Sequence, residues 1–183
     1  MPDNNRDPEF ALLSEIAASL KRRYVNEMAV WADSPFQWMK PIPSSSQIGK
    51  IAEKLVAHWC EAKGLLVSRG PDREADLVVN GARVEVKYSS LWTAGVYKFQ
   101  QIRDQDYDYC FCLGVSPFAA HAWFIPKAEL MVDRPPDLRR QHGGRRGQDT
   151  RWLSVDVGSP AEWLIPFGGT LSQVHGLILG AAR

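Results

Sequence analysis

The chain has 183 residues, 45% hydrophobic and 23% charged, with a formal net charge of +1. This is ordinary for a soluble globular protein with a real core, and the near-neutral total excludes a bulk polycation, so any attraction to nucleic acid has to come from local basic clusters. No apolar run approaches the roughly 18 residues of a membrane span, and the polar start, Met1 to Asp7, lacks a signal-peptide core; no membrane association and an intracellular location are expected.

Pro8 to about Ala32 reads as a first helix, because Phe10, Leu13, Ile16, Ala17, Leu20, Tyr24 and Met28 recur at helical spacing. Asp33 to Ser46 is loop-like, with Pro35, Pro41, Pro43 and three consecutive serines that offer an N-cap. A second helix follows over about Gln47 to Lys63. Ile48, Ala52, Leu55, Trp59 and Ala62 form its apolar stripe, and Lys50, Lys54, His58 and Glu61 its wet face. Glu53 shares a flank with Gly49, Val56, Ala57 and Cys60, so its carboxylate is expected to look along the edge of the packed interface. Leu65 to Ser68 is a short strand and Gly70 to Arg73 a turn.

Two β-prone runs then meet at Asn80-Gly81, the strongest short-range hairpin signal. Asp76 opens the first run, and the second carries Glu85-Val86-Lys87. Side chains alternate along a strand, so Glu85 and Lys87 share one face while Val84 and Val86 share the other. If the hairpin sets Asp76 beside Glu85, two carboxylates and an ammonium converge. Tyr97 to about Asp106 reads as a third helix. Tyr107 to Val115 and Ala120 to Ile125 read as strands, with Cys110 and Cys112 as buried small hydrophobes. Cys60 is the third cysteine, and this spacing does not suggest a structural zinc site. Asp133 to Arg151 sets six arginines against three aspartates among Pro and Gly, and reads as a mobile basic loop. Trp152 to Val157 alternates like a strand, and Gly168 to Leu179 is a candidate terminal helix.

The Asp76, Glu85-x-Lys87 pattern, with a Glu-bearing helix before it, resembles the PD-(D/E)xK nuclease superfamily. The resemblance covers roughly Gln47 to Pro117. It implies an α/β fold with a restriction endonuclease-like core, a mixed central β-sheet flanked by helices in the order α-β-β-β-α-β. The whole chain, 1–183, would form one nuclease-like domain, with an N-terminal helix and linker (1–46), a catalytic core (47–126), and a basic loop with C-terminal strand and helix (127–183). Pro71-Asp72 spells the family's dipeptide, but Asp72 lies in a turn before the apolar run, and Asp76 is better placed.

Cleaving a phosphodiester takes an activated water and relief of charge on the phosphate. A hard cation such as Mg²⁺ supplies both, and one or two carboxylates usually hold it. Asp76 and Glu85 fit that count. The resemblance adds the Val86 carbonyl as a further ligand, Mn²⁺ as a substitute ion, and Glu53 as the residue that would assist a second ion. Lys87 would serve the water or the developing charge, with the electrostatic role favoured. Gln100, Gln101 and the arginines Arg139, Arg140, Arg145 and Arg146 are the candidate DNA contacts. The chain looks like a small type II restriction endonuclease, a homodimer on double-stranded DNA in a prokaryotic cytoplasm. A junction resolvase or repair endonuclease, a catalytically silent DNA-binding module and a plain structural hairpin stay open beside it.

Overall fold

A computed structural model describes residues 16, 18, 29–92, 94–142 and 149–181. Helix α1 spans Ser45–Ala62, and Ser44 caps it, its hydroxyl accepting the Gln47 N–H at 3.3 Å. Strands β1 (Val67–Arg69), β2 (Leu77–Val79), β3 (Ala82–Ser90), β4 (Val96–Ile102), β5 (Tyr109–Val115) and β6 (Ala120–Pro126) follow. A single turn of helix, α2 (Lys127–Leu130), leads to β7 (Leu138–Gln141) and β8 (Thr150–Asp156), and α3 (Leu171–Ala181) comes last.

The central sheet has the order β1-β2-β3-β5-β6 and is mixed, since β3 and β5 run parallel and the other pairs antiparallel. One face packs on α1 and α3 through Ala52, Val56, Cys60, Val84, Val86, Phe111, Val174 and Ile178. The other face packs on a second sheet of order β4-β8-β7, through Tyr97, Phe99, Cys110, Cys112, Trp123, Leu138, Leu153 and Val155. The protein is thus an α/β structure, with a mixed central sheet flanked by helices and a small antiparallel sheet laid on its far face.

Most of the expected elements form. Asn80 and Gly81 take left-handed backbone angles (φ 49° and 89°), as a two-residue hairpin turn requires. On α1 the buried centre is Ala52, Val56 and Cys60, with Leu55 and Trp59 half-buried, so the packed face is rotated toward the flank that carries Glu53. Of the first helix expected over 8–32, residues 16, 18 and 29 are helical and 30–32 form a turn; the rest lie outside the described residues.

Two expectations are corrected. Tyr97 to Asp106 is not a helix: its first part is strand β4, so the order α-β-β-β-α-β becomes a helix followed by six strands. Tyr97, Phe99 and Ile102 are fully buried, whereas Lys98 and Gln100 are half-buried and Gln101 is exposed. Gln101 takes φ 56° at an irregularity in the β4–β8 register, which returns Ile102 to the core. The helix preference of the Gln pair is worth tenths of a kcal/mol, whereas burying each aromatic is worth about 1.5–3 kcal/mol, so the alternating aromatics win. Gly114 makes room for them, because a Cβ there would overlap the Tyr97 ring. The segment 133–151 is likewise more than a loop. It contains β7, Arg134 pairs with Glu129 at 2.6 Å, and Arg151 is buried against Asp133 at 3.4 Å.

Candidate active site

The β2–β3 ladder is short. Leu77, Val78 and Val79 pair with Val84, Arg83 and Ala82, and then β2 ends while β3 runs on to Ser90 against β5. Asp76 stands at this fork. Its N–H donates to the Val84 carbonyl at 3.1 Å, and its Oδ2 accepts the Val86 N–H at 2.8 Å. These two bonds bracket Glu85. The aspartate thus replaces the missing strand partner of Val86, a charge-assisted bond that fixes the carboxylate.

The turn before Asp76 is clamped from two sides. Gly70 donates to the Asp76 carbonyl at 2.9 Å, and a Cβ on Gly70 would overlap the Ala75 carbonyl. Arg83 Nη2 donates to both Asp72 oxygens at 2.9 Å, and this hydrogen bond holds the Asp72 carboxyl below the usual range. Asp72, from the literal Pro-Asp dipeptide, is therefore occupied in stapling the turn to β3. The sequence reading named neither Gly70 nor Arg83 as part of the site. A Gly directly before Pro-Asp was the available signal.

Glu85 and Lys87 point to the face covered by the second sheet, beside Cys110 and Cys112 in the parallel register. Lys87 Nζ donates to Glu85 Oε1 at 2.6 Å, and Glu85 is only 7% exposed. Burial raises the Glu85 carboxyl above its ordinary range; Lys87 opposes this and the nearby Asp76 carboxylate adds to it. Burial alone would pull the Lys87 ammonium down, but Glu85 and, more weakly, Asp76 hold it above its ordinary value. Lys87 therefore stays a cation at neutral pH. The Cys110 thiol is pushed well up, first by its contact with Cys112 and then by burial, so it is inert beside the pair.

Glu53 reaches the same field from α1. Its carboxyl is raised first by burial and then by Asp76, while Lys50, Arg69 and Lys87 pull the other way. Among the described residues no ion pair includes Glu53, so neither Lys50 nor Lys54 forms a salt bridge with it.

Asp76, Glu85 and Lys87 together carry one net negative charge, and Glu53 adds a second nearby. The donors are hard oxygens. In a strand the N–H and C=O of one residue leave by the same edge, so the Val86 carbonyl faces the edge that Asp76 caps. Among the described residues no three His, Cys, Asp or Glu side chains form a ready-made metal cage. Two carboxylates with an adjacent carbonyl suit an ion that keeps much of its water, as Mg²⁺ does. Of the candidate DNA contacts, Gln100 and Gln101 lie on β4, Arg139 and Arg140 are exposed on β7, and Arg145 and Arg146 lie outside the described residues. Arg140 meets Asp149 at 3.5 Å.

No protein-family model and no curated protein matches the chain. Among solved structures, the chain is similar to one described as a bacterial homing endonuclease, I-Ssp6803I. The identity is 18% and the TM-score 0.48, covering 76% of this chain and 94% of that one. Among the described residues no helix is long and apolar enough to cross a membrane.

Proposed function

We propose that the protein is a divalent-cation-dependent endonuclease that hydrolyses DNA phosphodiester bonds. One observation carries this reading: where the β2–β3 ladder ends, Asp76 and Glu85 are held together with Lys87 bonded to Glu85. A bound Mg²⁺ or Mn²⁺ would supply Lewis-acid relief of phosphate charge and a more acidic water. Asp76, Glu85 and the Val86 carbonyl would hold the ion, and Glu53 would support it from the helix. Lys87, kept charged by Glu85, orients the attacking water and stabilises the negative charge that grows on the phosphate. Because its proton is held so firmly, Lys87 acts by electrostatics and not as a general base.

Within that class we read a type II restriction endonuclease. Each chain carries one such cluster, and cutting both strands of a duplex at a palindrome takes two equivalent clusters, so a two-fold homodimer is the expected working form. The test is to incubate the purified protein with plasmid DNA and Mg²⁺ and sequence the termini. Linear product with one recurrent end sequence supports the reading. Preferential cutting of branched DNA without a recurrent sequence supports a junction resolvase or repair enzyme instead. DNA binding with no cutting in Mg²⁺ or Mn²⁺ removes the catalytic reading.

A further inference from the structure

The second sheet buries one face and leaves the other open. Its inward residues, Tyr97, Phe99, Leu138, Leu153 and Val155, are fully buried. The alternate residues Lys98, Arg139, Gln141, Trp152 and Ser154 point outward and, with Arg140, line a shallow groove of ≈ 360 Å³. The register sets Arg139 opposite Trp152 and Lys98 opposite Ser154, so Lys98 and Arg139 flank β8 from its two neighbouring strands.

The chemistry of this groove is specific. Among the described residues no carboxylate lies within ion-pair distance of Lys98 or Arg139, whereas Arg140 is engaged by Asp149. Arg139 Nε donates to the Pro136 carbonyl at 3.0 Å, which fixes the arm and leaves the end of the guanidinium outward. Lys98 Nζ sits 4.1 Å over the Trp92 ring, which restrains the ammonium. Trp152 is 36% exposed between them. Two prepositioned cations, one amide (Gln141) and an open indole on a polar sheet suit a polyanion with flat, hydrogen-bonding edges.

The sheet that carries the groove also touches the strand that carries the candidate active site. The Lys98 N–H donates to Ser89 Oγ at 2.9 Å, and Ser89 lies two residues beyond Lys87 on β3. Two residues of strand span about 7 Å. Strand β4 is therefore tied to β3 two residues from the cluster.

We infer that this outer face is the docking surface for duplex DNA, with the β7–β8 ribbon set against the major groove, which is wide enough for a two-stranded ribbon. Arg139 and Lys98 take phosphates, and Trp152 with Gln141 lies against the groove wall. The inference takes its substrate from the proposed nuclease reading, but its test does not require hydrolysis.

The test is fluorescence anisotropy of a labelled duplex in EDTA, titrated at several salt concentrations, for the wild type and for Lys98→Ala, Arg139→Ala, Arg139→Lys and Trp152→Ala. Lys63→Ala, at the exposed C-cap of α1, is the control. Lys98→Ala and Arg139→Ala should each weaken binding and lower the salt slope by about one unit. Arg139→Lys should keep the slope, and Trp152→Ala should weaken binding without changing it. Unchanged affinity and slope in all of them would overturn the inference, as would an equal effect of Lys63→Ala. So would tighter wild-type binding to single strands or RNA than to duplex DNA, or no duplex binding at low salt. If the variants behave as expected but the wild type never cuts DNA, the docking surface stands and the nuclease reading falls.

Discussion

The fork at Asp76 and the outer face of the second sheet use charge in opposite ways. At the fork, charges are few, buried or half-buried, and each is bonded: Asp76 to the Val86 N–H, and Lys87 to Glu85. On the outer face, Lys98 and Arg139 are held by uncharged partners, an indole ring and a carbonyl, and their charge faces outward. Buried charge is costly unless it is paired, so a cluster with excess negative charge is suited to gripping a cation at fixed geometry. Exposed charge is screened and individually weak, so it serves attraction and positioning. On the proposed reading, the fork is the part suited to chemistry and the outer face the part suited to holding the substrate.

Breaking the fork should give the largest effects. Asp76→Ala removes a proposed metal ligand and the cap on Val86, and we expect cleavage to fall by on the order of 10³-fold. Lys87→Ala should cost about 10²–10³-fold. Duplex binding in EDTA should survive both changes, because neither residue lies on the inferred docking face. An Asp76→Ala protein that cuts at the wild-type rate would falsify the assignment. Gly70→Ala tests the scaffold behind the cluster. Its methyl must push the Ala75 carbonyl away, and misplacement by about 1 Å is enough to lose about 10²-fold. A Gly70→Ala protein with full activity and unchanged melting would show that the turn does not position Asp76.

The pH dependence sharpens the same comparison. Burial raises the Glu85 carboxyl, so the acid limb of metal binding should lie above the ordinary glutamate range. Lys87 opposes that rise, so Lys87→Ala should shift the limb to still higher pH. The shift can be followed by Mn²⁺ binding across pH 4–8, a window set by ordinary and raised carboxyls. A limb that stays at the ordinary value in both proteins would mean that Glu85 is not a ligand. Salt should hardly move this limb, whereas it should strongly affect duplex binding on the outer face.

The two regions also differed in how far the sequence disclosed them. The fork was legible because its signals are local. Asn80-Gly81 sets the hairpin, Leu77 to Val79 and Val84 to Val86 pair in a register of three, and the alternation puts Glu85 with Lys87. The clamp behind it was not, since Arg83 reaching Asp72 and Gly70 crowding Ala75 are contacts across a fold. The second sheet was misread because its strands find partners far along the chain, β4 with β8 and β8 with β7. Without those partners, Tyr97 to Asp106 shows two glutamines and an aromatic spacing that a helix also accommodates. Only burial against Trp123, whose ring meets those of Tyr97 and Phe99 at 6.2 and 6.1 Å, selects the strand.

The smallest effect is expected at Glu53, where stability and function should move in opposite directions. Its carboxyl is raised in the folded protein, chiefly by burial and then by Asp76. A raised acid binds its proton more tightly when folded, so the linked stability is fully present below the unfolded pKa and is lost as pH rises through the folded value. At pH 7 the ionised group is therefore a cost to the metal-free fold. Glu53→Gln, which cannot ionise, should melt higher than the wild type at pH 7, and the gap should close as pH falls below the ordinary glutamate range. In Mg²⁺ the same variant should cut more slowly, by a margin that narrows as the metal concentration rises. A variant that melts no higher at pH 7 and titrates with Mg²⁺ as the wild type does would reduce Glu53 to an ordinary residue at the rim of α1.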